Sequence, residues 1–160
     1  MALKLNEEMQ HLLIKGNVAV VGTVNARGTP NLSLKGVVHV DPEGYIYFFD
    51  LYHGKTRSNL KRNPAVTLAV FNVREFKGYQ FQGQATVIES GPLFDDLAKT
   101  WAAKRRKLSS QRIIDNIQRG FSHGRSEIHF PKPRYLVKLE VKRIHNLVPP
   151  ALRVSAKPRT

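Results

Sequence analysis

Residues 17–50 alternate between β-forming runs and turn chemistry at a spacing that leaves room only for short antiparallel strands. NVAVVGTV (17–24) is apolar and β-branched, and NARGTP (25–30) carries the asparagine, glycine and proline of a tight connection. NLSLKGVVHV (31–40) alternates apolar and polar residues before becoming more continuously apolar. Asp41-Pro42-Glu43-Gly44 is a strong turn, and YIYFFD (45–50) resumes β character. Three strands joined by tight connections follow from this segment alone.

The rest of the chain extends the pattern. Asn6 followed by EEMQHLLIK reads as a capped first helix with acids at its positive end and Gly16 as its stop. Residues 56–63 form a short helix ended by Asn63-Pro64, since proline disfavours helix in the residue before it. AVTLAVFNV (65–73) and YQFQGQATVIE (79–89) are two further strands, the second with Tyr79, Phe81, Gly83, Ala85 and Val87 on one face. Pro92 opens a helix over LFDDLAKTWAAKRRKL, and Ser109 or Ser110 can cap a second, QRIIDNIQR, closed by Gly120. YLVKLEVKRI (135–144) alternates cleanly, with Tyr135, Val137, Leu139 and Val141 together. Six short strands in one small domain need closed edges, which predicts a mainly β fold: a six-stranded antiparallel barrel with flanking helices. Residues 1–148 read as one domain with a basic helical insertion at about 92–128, and 149–160 as a flexible tail.

Composition excludes several chemistries. The 160 residues contain no cysteine, so disulfides, thiolate metal sites, iron–sulfur clusters and a cysteine nucleophile are all ruled out. No apolar stretch reaches the roughly 18–20 residues of a membrane span, and the start does not read as a signal peptide, so a cytoplasmic protein is expected. The six histidines are scattered without metal-ligand spacing, and no metal is expected; His53 alone lies beside a candidate site. The net charge of +14 is uneven. Residues 1–100 carry 11 basic and 9 acidic side chains, residues 101–160 carry 15 and 3. The densest point is Lys104-Arg105-Arg106-Lys107, with Arg112, Arg119 and Arg125 following. Such a field attracts polyanions, so a basic nucleic-acid-binding module is one alternative, although no nucleic-acid motif accompanies the charge.

Gly54-Lys55-Thr56 carries the chemistry. Free amides at a helix start, a lysine point charge and a threonine hydroxyl together suit a phosphate. Without spaced glycines this is not a Walker motif, and taken alone it also reads as an ordinary capped helix. In context, the ordered series AVVGTVNARGTPNLSLKGVVHV, EGYIYFFD, HGKTRSNLKRNPAVTLAVF and YQFQGQATVIESGPLFDDLAKTW resembles the flavin-binding split-barrel family. That family includes pyridoxamine 5′-phosphate oxidase and small FMN-binding proteins, and the phosphate-turn pattern is closer to the latter. The resemblance spans roughly residues 10–101 and implies a split barrel that binds FMN at the interface of a homodimer.

It also implies site residues. Lys55 and Thr56 fall where family members hold the FMN phosphate, with Asn59 one turn along. Ser33, Leu34, Lys35 and Gly36 fall along the flavin ring edge. Phe48, Phe49 and Asp50 fall near the ring and ribityl chain. Lys35 at the pyrimidine edge would favour the anionic reduced flavin; by its own pattern it reads equally as an outward strand lysine. Trp101 reads as a helix residue packing an interface or reaching a partner's flavin, and Arg74 and Lys77 as phosphate contacts or a solvated turn. No catalytic side chain is assigned. The oxidase's C-terminal Arg-x-His pattern has no counterpart in LRVSAKPRT, so pyridoxamine phosphate oxidation itself is not expected. The expected activity is that of an FMN-dependent reductase or electron carrier, with a deazaflavin as the alternative cofactor on the same fold.

Overall fold

A computed structural model of the chain describes residues 1–16, 18–120 and 131–153; the side chains of 106–113 and 115–117 are not among those described. Six strands are seen: β1 (Val18–Val24), β2 (Pro30–Asp41), β3 (Tyr45–Asp50), β4 (Ala65–Asn72), β5 (Lys77–Ile88) and β6 (Tyr135–Asn146). They pair antiparallel throughout and close in the order β1-β2-β3-β6-β5-β4. This is the six-stranded antiparallel split barrel with flanking helices that the sequence implies. Closure leaves no free sheet edge, the usual liability of small β proteins.

The helices are α1 (Glu7–Gly16), α2 (Lys55–Arg62) and α3 (Pro92–Gln118). Asn6 caps α1 as expected, its Oδ1 accepting the Met9 amide at 2.9 Å. One expectation fails: α3 runs unbroken through Ser109-Ser110 instead of splitting into two helices. Serine inside a helix costs only about 0.5 kcal/mol relative to alanine, too little to stop a helix flanked by strong formers. Gly120, at φ +73°, follows the end of α3 as predicted. Past β6, Pro150–Leu152 form a 3-10 turn, and Arg153 Nε donates to the Val148 carbonyl at 2.9 Å. The remainder of the predicted tail, 154–160, lies outside the described residues, as does the last part of the predicted 92–128 insertion, from 121 on.

Alternation along the strands produces two cores. Inside the barrel, Val21, Ile46, Phe48, Leu68, Phe81, Tyr135, Val137, Leu139 and Val141 are almost completely buried. Outside it, Tyr47, Phe49 and Leu136 pack under α3 against Phe94, Leu97 and Trp101. The predicted inward faces of β5 and β6 are both observed. Gly83 sits at a register shift between β5 and β6, where a β-carbon would collide with the Glu140 carbonyl. Only glycine allows the two strands to approach there.

The two ends of the barrel are closed differently. At one end α1 contributes Leu12 and Leu13 to the interior core, and the segment before it bonds to β6 through Leu3 N to Val141 O and to the β2–β3 turn through Leu5 N to Pro42 O. At the other end α2 lies across β1, β2 and β5 with Thr56, Asn59 and Leu60 turned inward.

A candidate anion site at the α2 end of the barrel

The four buried polar side chains among the described residues are Thr23, Asp50, Thr56 and Asn59. All four lie at the α2 end. Asn59 Nδ2 donates to Thr23 Oγ1 at 2.9 Å and pins α2 to β1. The Thr56 and Ser33 hydroxyls meet at 3.1 Å, joining the first turn of α2 to β2. The ordinary side-chain-capped helix that this turn suggests by itself is not observed: Gly54 is the N-cap and no side chain caps the helix. The chain enters α2 one residue earlier than expected, so Thr56 lies within the first turn and its hydroxyl reaches across to Ser33. The start of the helix therefore presents amides and a positive dipole end with the exposed Lys55 beside them.

Beneath this turn lies a charged row. Lys35 Nζ donates to Asp50 Oδ2, and the Tyr135 hydroxyl donates to the same oxygen at 2.6 Å. The pair is enclosed, with side-chain exposures of 11% for Lys35 and 7% for Asp50. Lys35 is thus not an outward strand lysine: it shares the inner face of β2 with Ser33 and Val37, while Leu32 and Leu34 face outward at 71% exposure. Burial pushes the Tyr135 phenol well above its ordinary pKa, and the Asp50 hydrogen bond and charge add to this. Arg57 opposes the shift, through its charge and through its backbone amide.

Of the residues implied by the resemblance, Ser33, Lys55, Thr56 and Asn59 are brought together around the start of α2, with Lys35 and Asp50 immediately below. Leu34 and Gly36 belong to the wall of β2, Leu34 fully outward. The side chains of Phe48 and Phe49 are buried: Phe48 fills the barrel interior, and Phe49 lies edge-on to Phe94 and Trp101 at 5.5 and 5.9 Å between centroids. Trp101 packs on its own chain, with the Arg105 guanidinium 4.9 Å above the ring. Lys77 lies 3.8 Å from Glu8, and the Arg74 amide donates to Asn72 in the β4–β5 turn. The exposed His53 lies near Tyr135, ring centroids 6.0 Å apart. Among the described residues no group of three or more metal-ligating side chains occurs, and no helix is long and apolar enough to cross a membrane. In the basic segment, Arg106, Lys107 and Arg112 belong to the side chains outside the description, as do all of His123, Arg125 and His129.

Two participants were missed in the sequence. Tyr135 reads there as a plain core residue; its position opening β6 directly opposite Asp50 gives it the second role. Arg57 is fixed by Glu89, which takes Nε at 2.9 Å and Nη2 at 2.5 Å, with Lys61 at 3.4 Å. The hydrogen bond from Arg57 holds the Glu89 carboxyl below its ordinary pKa. Their separation of 32 residues leaves no local signal. An uncapped helix start with an adjacent ammonium and two hydroxyls fits a phosphate monoester.

Comparison with known proteins fixes the lineage. The sequence profile of the family described as pyridoxamine 5′-phosphate oxidase matches residues 5–146. The chain belongs to the pyridoxamine 5′-phosphate oxidase family. Solved structures similar to it include HupZ of Group A Streptococcus (24% identity, covering 90% of this chain and 94% of that one, TM-score 0.67). A candidate pyridoxamine 5′-phosphate oxidase of Lactobacillus delbrueckii is 25% identical over 89% of this chain and 93% of its own, TM-score 0.59. A pyridoxamine 5′-phosphate oxidase-related, FMN-binding protein of Nostoc punctiforme shares the fold at 15% identity, covering 84% and 75%, TM-score 0.54. No protein of curated function matched the sequence.

Proposed function

We propose that this member of the oxidase family is an FMN-binding flavoprotein, a reductase or electron carrier, whose flavin lies between the two subunits of a homodimer. The observation that carries the reading is the α2 start: an uncapped helix with Lys55, Thr56 and Ser33 converging on it, in a chain of this family. Lys55 supplies the charge that neutralises a phosphate, the α2 amides and hydroxyls supply directional donors, and Asn59 keeps the helix seated on β1. Bound FMN supplies hydride and one-electron transfer, and the protein orients it and keeps out water.

The outer face of the barrel supports the dimer. Val18, Val24, Leu32 and Leu34 stand exposed on β1 and β2. Beside them is a groove of about 460 Å³ lined by Val20, Leu32, Ala65 and Ala69. An apolar strip of this kind is normally covered, and a second copy would bury it next to the α2 start. Leu34 would then form part of the wall against the flavin.

The test is the visible spectrum of the purified protein followed by titration of the apo form with FMN. Bands near about 375 and 450 nm and tight binding weakened by Lys55→Ala are expected. A colourless protein that ignores FMN contradicts the FMN reading; binding of a deazaflavin in its place would keep the site and change the cofactor. Sedimentation of the same samples tests the dimer, with Leu34→Glu expected to yield monomer.

A further inference from the structure

Lys35, Asp50 and Tyr135 form a row across β2, β3 and β6. Asp50 and Tyr135 are direct register partners, and Lys35 follows one position beyond the Gly36–Phe49 pair. All three face inward, on the side that carries Phe48 in β3 and Val137 in β6. Hydrophobic residues would fill that space without burying charge, because desolvating an ion pair offsets much of its attraction. The row therefore calls for a reason other than stability.

Its outward connections supply one. Asp50 uses Oδ2 for Lys35 and Tyr135 and turns Oδ1 to the Tyr52 amide at 3.4 Å. Its carbonyl accepts the Arg134 amide at 2.9 Å, fixing the entry to β6 against the exit from β3. Two residues along the same face of β2 from Lys35, Ser33 meets Thr56. The loop from Asp50 into α2 is thus held from inside the barrel, at a helix start that has no side-chain cap of its own. We infer that Asp50 and Tyr135 are positioning residues for the anion site, setting where the α2 amides and Lys55 stand without touching the ligand. The inference rests on the anion-site reading given above; it adds Tyr135, which the resemblance does not assign, and gives Asp50, which the resemblance puts near the ring and ribityl chain, a role behind the anion site instead. Tyr135 suits the task because its hydroxyl is a fixed donor that stays protonated at neutral pH.

The test separates phosphate from ring. FMN and riboflavin differ by the phosphate alone, so dissociation constants for both are measured by fluorescence quenching on wild type, Tyr135→Phe and Tyr52→Pro. Tyr135→Phe keeps the ring and removes the hydroxyl; Tyr52→Pro, at an exposed position, removes the amide bonded to Asp50. Each is expected to weaken FMN about tenfold, about 1.4 kcal/mol, while riboflavin affinity moves less than twofold. Equal weakening of both ligands, or no change in either, overturns the inference and leaves the row a purely structural element. If wild type binds neither ligand, the FMN reading fails, and inorganic phosphate followed by the amide signals of Lys55–Arg57 decides the inference separately. Shifts in wild type that Tyr135→Phe abolishes uphold a positioned anion site for another ligand. Absence of shifts in wild type overturns it.

Discussion

The two ends of this barrel solve the same closure problem with opposite chemistry. The α1 end is sealed by Leu5, Leu12 and Leu13, and its Tyr79 to Glu8 hydrogen bond, at 2.9 Å, is kept to the half-buried edge. The α2 end is sealed by Thr56 and Asn59 over a Lys35–Asp50 pair, and every buried polar side chain described lies there. An apolar plug is the simpler way to stabilise a barrel, since it carries no desolvation cost. On the function proposed above, the difference separates a purely structural end from one whose polar groups answer to a ligand.

The comparison is broken most forcefully at Asp50. Asp50→Ala strands the Lys35 charge and is expected to cost about 3–5 kcal/mol in urea unfolding. The double variant Lys35→Met/Asp50→Leu is expected to regain most of that stability but not the FMN affinity. If affinity returns along with stability, the row serves the fold alone. At the opposite end, Leu13→Ala is expected to cost about 2–5 kcal/mol through the cavity it opens, with FMN binding to the folded protein unchanged. A matching loss of FMN affinity would mean that the ends are coupled and the contrast is false.

Alkaline pH probes the α2 end more gently. The folded protein holds the Tyr135 proton above the ordinary phenol pKa, so above about pH 10 the unfolded chain releases it first. Stability is therefore level below that pH and falls as pH rises, and Tyr135→Phe should flatten the fall in melts taken from pH 9 to 12. An unchanged slope would place the alkaline loss elsewhere, Tyr47 and Tyr79 being the other tyrosines with raised values. The smallest stability effect belongs to Lys55→Ala, within about 0.5 kcal/mol of wild type at an exposed position. Its FMN affinity is nevertheless expected to fall at least tenfold, and retention of full affinity would remove Lys55 from the site.

The strands and their inward faces were legible because turn residues and alternation are local signals: Gly44 in its turn, Tyr135-Val137-Leu139-Val141 in β6. At β2 the same logic misleads. Leu32 and Leu34 point out and Ser33 and Lys35 point in, the reverse of the usual apolar-inward pattern. The reversal follows from a polar barrel end beside an outer wall suited to being covered, neither of which alternation can reveal. The turn into α2 was legible as Gly54-Lys55-Thr56, but the partners of Asp50 lie 15 and 85 residues away and are set only by strand register. Continuity of α3 through two serines was likewise decided by the summed propensity of a long segment, not by the pair that suggested a cap.

The most direct test of the contrast between the ends is a 15N–1H spectral titration of the apo protein with FMN. The account predicts shifts concentrated at Ser33 and across Lys55–Asn59, with the α1 amides of Glu7–Gly16 left in place. Shifts centred on α1, or none at the start of α2 while FMN binds, would contradict it.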